Sequence, residues 1–102
     1  MTPIYDANTL RKVSSDARLV EYTRIKNDYV PAALNRINDA NLAAANAGYQ
    51  SSVEDFNLLA MGLSTQDAQN YFKIGLKSEL EELGFKVVIS SSSSMIKVLC
   101  KW

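Results

Sequence analysis

The C-terminal stretch, residues 85–102, constrains the fold more than any other part of the chain. Two runs of alternating apolar side chains are separated there by a run of serines at residues 90–94. Period-two alternation places successive side chains on opposite faces of a strand, and β-branched and aromatic residues suit a half-buried strand surface. The pattern predicts a β-hairpin with one apolar face, which carries Phe85, Val87, Ile89, Ile96, Val98, Cys100 and Trp102.

A two-stranded hairpin alone is marginally stable in water, so helices from the preceding chain must cover its apolar face. At 102 residues the chain is long enough for a single domain with one core. We therefore expect an α+β fold in which a long kinked helix and a second helix pack on a C-terminal antiparallel hairpin.

The N-terminal segment at 1–14 can hold a short helix that Asp6 or Asn8 caps and that carries Leu10 and Val13 on one side. The long helix is predicted over residues 15–48, because apolar residues recur there at steps of three and four. Gly48 marks its end, since glycine enters the left-handed region cheaply. The apolar register continues through Pro31, which predicts a bend between Asn27 and Pro31. The alternative is a new helix that starts with Pro31 at its first position.

A second helix is predicted over residues 64–83, with Ser64 as its N-cap. Its apolar stripe ends at Leu83, and the pair Gly84 and Phe85 is typical of a helix C-terminus. Between the helices, residues 52–61 allow two interpretations. They form either a short helix or an edge strand that adds to the hairpin.

The charge balance excludes several classes of function. Eleven basic and eleven acidic residues give no net charge, so the basic face that displaces counterions from nucleic acid is not expected.

No apolar run approaches the ~20 residues that cross a bilayer, and no secretory signal pattern is present. We expect no membrane partner and a protein that is made in the cytoplasm.

Catalytic chemistry is not expected either. The chain has no histidine, which removes the commonest general base and metal ligand. Glu79 and Glu82 share a helix face and could hold a cation, but solvated surface is the preferred interpretation. We predict no catalytic residue, cofactor or metal, and no small-molecule ligand. Cys100 is expected to be a small buried apolar residue.

Two groups of residues are candidates for contact with other proteins. On the long helix, small side chains would let a second backbone approach closely; these are Asn41, Ala44 and Ala45. On the hairpin, apolar and basic side chains share the face opposite the core; these are Val88, Lys97, Leu99 and Lys101. Such lysines also protect a sheet edge from other strands, and weak phosphate contact is a further alternative.

Four short motifs occur in a suggestive order: D-A-x-x-L-R-K-x-S at residues 6–14, A-x-x-G at 45–48, L-x-x-L-G-F-x-V at 80–87, and a last strand ending in tryptophan at 96–102. In this respect the chain resembles small bacteriophage accessory and virion-associated proteins. It departs from their pattern at residues 50–63, where a clear strand would be expected. The resemblance implies a viral origin, with the protein located in a virion or in the host cytoplasm, and it brings no catalytic residue with it.

These observations favour a viral interaction module that acts as a homo-oligomer or within a larger viral assembly. Two alternatives stay open. One is an early host-directed inhibitor, or a sponge for a small nucleotide, that binds a host factor. The other is a small enzyme that works through Glu79 and Glu82 or through Lys73.

Overall fold

The computed structural model describes residues 6–102 and confirms an α+β fold. Part of the predicted N-terminal segment, residues 1–5, lies outside the described residues. Three helices and three strands succeed one another in the order α1 (Ala7–Asp28), α2 (Val30–Asn46), β1 (Ser51–Asn57), α3 (Gln66–Glu82), β2 (Lys86–Ser92) and β3 (Met95–Lys101).

The first helix begins at Ala7 rather than at residue 15, because Asp6 caps it. The Asp6 carboxylate accepts a hydrogen bond of 2.7 Å from the backbone N–H of Thr9, which satisfies one of the free donors at the helix start. Residues 7–14 are therefore helical and continuous with the remainder of α1.

The helix predicted over residues 15–48 is divided at Tyr29 into α1 and α2. Tyr29 keeps right-handed helical backbone angles, and its N–H donates to the carbonyl of Ile25 at 3.0 Å. The interruption lies within the region predicted to bend, and it has the form of the alternative, because a new helix begins at Val30 with Pro31 in its first turn. The missing N–H of Pro31 leaves no hydrogen bond unmade there.

The hairpin of β2 and β3 belongs to a three-stranded antiparallel sheet with the strand order β1-β3-β2. In this sheet β3 is the central strand and β2 is one edge. The other edge is β1, which pairs with β3 along its whole length. Of the two interpretations of residues 52–61, the edge strand is correct and the short helix is wrong. The serine run forms the end of β2, which extends through Ser92, and the hairpin turn at Ser93 and Ser94.

The polar inward face of β1 explains why its pattern is ambiguous. Ser52 and Glu54 point towards α2, where the Ser52 hydroxyl donates to the side-chain oxygen of Asn41 and Glu54 pairs with Arg36. Only Phe56 on this face enters the core. Residues of β1 alternate between the two faces of the sheet, but two of those that point inward are polar and find their hydrogen-bond and ion-pair partners on α2.

The core lies between the inner face of the sheet and the three helices. Phe56 and Phe72 meet edge to face with their ring centroids 6.1 Å apart, which joins β1 to α3. The fully buried large side chains are Ile25, Val30, Ile37, Phe56, Leu58, Leu63, Phe72, Leu76, Leu80, Ile96 and Val98. Four inward residues of the hairpin are buried as predicted: Val87, Ile96, Val98 and Cys100.

Two details of α3 differ from prediction. Its N-cap is Thr65 rather than Ser64, since the Thr65 hydroxyl accepts from the N–H of Ala68 at 3.1 Å. Leu83 is exposed rather than part of the buried stripe. The end of the helix is as expected: Gly84 has φ +94°, and the N–H of Phe85 donates back to the carbonyl of Leu80.

The molecule is elongated, with principal dimensions of 68 × 26 × 20 Å. The cause is the N-terminal half of α1. Every residue from 7 to 20 is exposed, whereas Ile25 in the second half is fully buried. We call residues 7–20 the arm, and the remainder of the chain the body.

Candidate interaction surfaces

The face of the sheet that points away from the helices, which we call the outer sheet face, carries an apolar row. Val53, Leu99 and Val88 occupy equivalent positions on β1, β3 and β2 and are therefore neighbours across the sheet. Val53 and Val88 are each more than half exposed. A contiguous exposed apolar row within a polar surround is typical of a protein contact.

The row is bordered by lysines. On one side Lys101 lies opposite Ser51 and opposite Lys86, and on the other Lys97 lies between Asp55 and Ser90. The four hairpin residues predicted as contact candidates are thus brought together on one surface: Val88, Lys97, Leu99 and Lys101.

An open depression of about 420 Å³ lies at one end of this face. Lys86 and Lys101 contribute to its lining together with Trp102, whose ring meets that of Phe85 edge to face at 6.2 Å. Like charges directly opposite each other in an antiparallel pair destabilise it. Among residues 6–102, neither lysine has a carboxylate within ion-pair distance.

The helix residues predicted as contact candidates are not grouped in the same way. Ala44 is half-buried and Ala45 is exposed near the end of α2. Asn41 is only 8 % exposed, because its side chain accepts the hydrogen bond from Ser52 of β1. Asn41 therefore joins α2 to the sheet inside the molecule and does not present a surface to a partner.

The arm is a second exposed surface, and its residues are not among the predicted contact candidates. On one side of it Leu10, Val13 and Val20 are 51 %, 58 % and 69 % exposed. Together with Ala17 they recur at steps of three and four residues, which places them in one line along a helix. We call Leu10, Val13, Ala17 and Val20 the arm stripe.

The arm stripe faces away from the core. At about 100° of rotation per residue, it lies roughly 130° around the helix axis from the buried side of α1, which carries Tyr22, Ile25 and Tyr29. Tyr22 meets Tyr71 of α3 edge to face, and Lys26 forms a 3.1 Å ion pair with Glu79. One side of α1 therefore packs against the body, and the arm stripe lies on a different side of the same helix.

Charged groups stand at both ends of the arm stripe. The N–H of Thr9, which donates to the Asp6 carboxylate, lowers the pKa of Asp6. At the other end the Arg24 guanidinium donates to both carboxylate oxygens of Glu21, which lowers the pKa of Glu21 and raises that of Arg24. All three groups are therefore charged at neutral pH.

Two of the side chains considered for catalysis have partners on other elements. Glu79 forms an ion pair with Lys26, and the Lys73 ammonium donates a hydrogen bond of 3.2 Å to the Ser91 hydroxyl. Between residues 6 and 102, no three His, Cys, Asp or Glu side chains converge where they could hold a metal ion. Cys100 is fully buried as predicted, and burial raises the pKa of its thiol.

None of the helices within residues 6–102 combines the length and apolar character needed to cross a membrane.

No protein-family model, curated protein or solved structure matches this chain. Its function is therefore inferred from the two exposed surfaces, the outer sheet face and the arm.

The sequence contains a signal for the arm. Leu10, Val13, Ala17 and Val20 have the spacing of a helix–helix seam, but they are out of phase with the core stripe that begins at Tyr22. Apolar side chains on one helix with two directions indicate two different partners. Treating the first part of this pattern as a separate N-terminal segment conceals the change of direction.

Proposed function

We propose that this protein is a protein–protein interaction module that works as a subunit of an oligomer or of a larger viral assembly, without a catalytic step of its own. The observation that carries the proposal is the arm. It projects from the body with an apolar stripe that no described part of the chain covers.

The length of the arm supports this function. Helices shorter than about 12–15 residues are marginal in water, and most helices in proteins are stabilised by packing of an apolar face. The arm spans residues 7–20 and packs against nothing in the described part of the body. A protein partner that covers the arm stripe would supply the stabilisation that the body does not.

The outer sheet face provides a second contact of a different kind. Its apolar row of Val53, Val88 and Leu99 lies on the body, whereas the arm stripe lies on the projecting helix. A subunit with two separate contact surfaces can join more than one neighbour, which is what a component of a larger assembly requires. The resemblance to virion-associated phage proteins supports a virus particle, or an intermediate in its assembly, as the place where this occurs.

Light scattering of the purified protein over a range of concentrations tests the proposal. We expect a mass above that of the monomer that increases with concentration. Val13→Glu places a charge in the arm stripe and should reduce the mass to that of the monomer. Leu19→Glu is the matched control, because Leu19 is also an exposed apolar residue of the arm, at 63 %, but lies outside the stripe.

A monomer at millimolar concentration would contradict the proposal, and so would an equal loss of mass in both variants. The second result would mean that the added charge, rather than its position in the arm stripe, determines association. Helix content by circular dichroism should be measured in parallel, to show that the body of each variant is folded.

A further inference from the structure

We infer that the partner of the arm is a second copy of this chain, and that the two arms pack antiparallel about a two-fold axis near Ser15. This inference rests on the proposed function and adds the partner, the direction and the register. Two features carry it: the spacing of the arm stripe and the charges at its ends.

The arm stripe has the spacing of a coiled-coil seam. Leu10 and Ala17 occupy equivalent a positions of a heptad, and Val13 and Val20 occupy d positions. One step further in each direction, the same spacing reaches Asp6, the N-cap of α1, whose carboxylate also accepts from Thr9, and Arg24 at an a position, whose guanidinium also pairs with Glu21. The seam is therefore apolar in the middle, with an acid at one end and a base at the other.

When the second copy runs in the opposite direction, its seam residues complement those of the first. In an antiparallel pair centred near Ser15, Leu10 faces Val20 of the second copy, and Val13 faces Ala17 of the second copy. In the outermost layers Asp6 faces Arg24 of the second copy. Each large side chain meets a smaller one, and each terminal charge meets its opposite.

The parallel arrangement brings like charges together. Asp6 would face Asp6 of the second copy, and Arg24 would face Arg24 of the second copy. Beside the seam, Asp16 at a g position would meet Glu21 of the second copy at the next e position, which is the contact that selects partners in parallel coiled coils. Like-charge contacts of this kind disfavour the parallel pair.

The charges beside the antiparallel seam include one like-charge contact. The two Asp16 side chains, both at g positions, approach each other close to the axis. Lys12 lies four residues before Asp16 on the same helix, at the spacing at which opposite charges attract each other. Arg11 is at a b position, roughly 140° around the helix axis from the seam, and does not contact the second copy. The antiparallel pair therefore has one like-charge contact beside the seam, where the parallel pair has two.

The contact is small. Overlap from residue 6 to residue 24 gives a length of about 28 Å, and with a helix width of ~10 Å the pair buries on the order of 600 Å² in total. Stable protein–protein interfaces bury about 1,200 Å² or more. The arms should therefore form a weak dimer whose population depends on concentration, which the outer sheet face can extend into larger assemblies.

Disulfide trapping distinguishes the two directions. Chains with Leu10→Cys and chains with Val20→Cys are oxidised gently at high concentration, each alone and as an equal mixture. In the antiparallel dimer the two cysteines of the mixture face each other. Two copies of the same variant hold their cysteines about 15 Å apart along the axis, well beyond the ~7 Å that a disulfide spans.

We expect a disulfide between the two variants that exceeds either homodimer at least about tenfold. The native Cys100 is buried and is distinguished by peptide mapping. Homodimers of each variant alone would show parallel arms and overturn the inference, while leaving the proposed function intact. Absence of any cross-link in a protein that is oligomeric by light scattering would place the contact elsewhere, with the same consequence. A wild-type monomer would overturn both.

Discussion

Arg36 attaches the edge strand to the helices through three contacts with β1. Its guanidinium pairs with Glu54, donates to the carbonyl of Asp55 at 3.1 Å, and lies 4.5 Å from the centre of the Phe56 ring. A planar guanidinium can make these contacts at once, whereas an ammonium cannot. Together with Asn41, which accepts from Ser52, Arg36 thus compensates for the polar inward face of β1.

Arg36→Ala should lower the free energy of unfolding by about 1 kcal/mol, a small value because the side chain is half exposed and its ion pair is screened. Arg36→Lys keeps the charge but loses the fork and the stacking, so it should recover less than half of that loss. Urea denaturation of the three proteins measures both effects. Full recovery by lysine would show that only the charge matters.

Ser93 in the hairpin turn is the one non-glycine residue within residues 6–102 that has a positive φ, of 56°. A side chain costs roughly 1–2 kcal/mol in that region, and glycine removes this cost at some expense in chain entropy. Ser93→Gly should therefore stabilise the fold by about 0.5–1 kcal/mol.

The matched control for Ser93 is Ser92→Gly, one residue before it in β2, where the backbone is extended and glycine only adds entropy to the unfolded chain. We expect it to destabilise the fold by a similar amount. Thermal unfolding of the two variants compares them directly. If both changes had the same sign, the positive φ of Ser93 would not be a source of strain.

At the scale of the elements, Gly75 determines how closely α3 approaches the junction of α1 and α2 around Tyr29. Gly75 is buried, and a Cβ atom built there would lie 3.4 Å from a methyl carbon of Val30 and 3.9 Å from Lys26. These are ordinary contact distances, so one methyl group fits.

Gly75→Ala should stabilise the protein by about 0.5–1 kcal/mol, since alanine favours the helix and adds a contact. Gly75→Val should instead cost about 1–3 kcal/mol, because its additional methyl groups must enter the space held by Val30 and Lys26. Denaturant unfolding tests the pair. Destabilisation by alanine would mean that α3 already packs too tightly against Val30 and Lys26 to admit a methyl group.

The elements with an apolar face directed at the core could be predicted from sequence. The hairpin alternates clearly, α3 has one apolar stripe and ends at a glycine, and Pro31 indicates the interruption between α1 and α2. Val88, Lys97, Leu99 and Lys101 are likewise placed on one face by alternation alone. In each case a local pattern of period two or 3.6 carries the information.

The remaining elements depend on partners that a local pattern does not show. Two inward residues of β1 are polar, Ser52 and Glu54, and they form hydrogen bonds with Asn41 and Arg36 of α2. These pairs join residues that are more than ten positions apart in the chain. Asn41, one of the predicted contact candidates, is buried for the same reason. The arm could not be joined to the long helix from sequence, because its apolar residues do not continue the core stripe. Two stripes on one helix are visible only when the helix is known to be continuous.

At the scale of the whole molecule, the body accounts for the stability of the fold, and the arm accounts for its shape. The body closes its own core, with Phe72, Leu76 and Cys100 fully buried. The arm extends the molecule to 68 Å and contributes no residue to that core. A projecting helix that the fold does not need is explained if it serves assembly.

The measurement that tests this claim most directly is amide hydrogen exchange of residues 11–20 at low and at high protein concentration. An uncovered helix of this length opens readily, so its amides should exchange fast in dilute protein. We predict that association protects them as concentration rises, and that Val13→Glu removes this protection while leaving the body unchanged. Equally fast exchange at every concentration would contradict the assignment of the arm as an assembly surface.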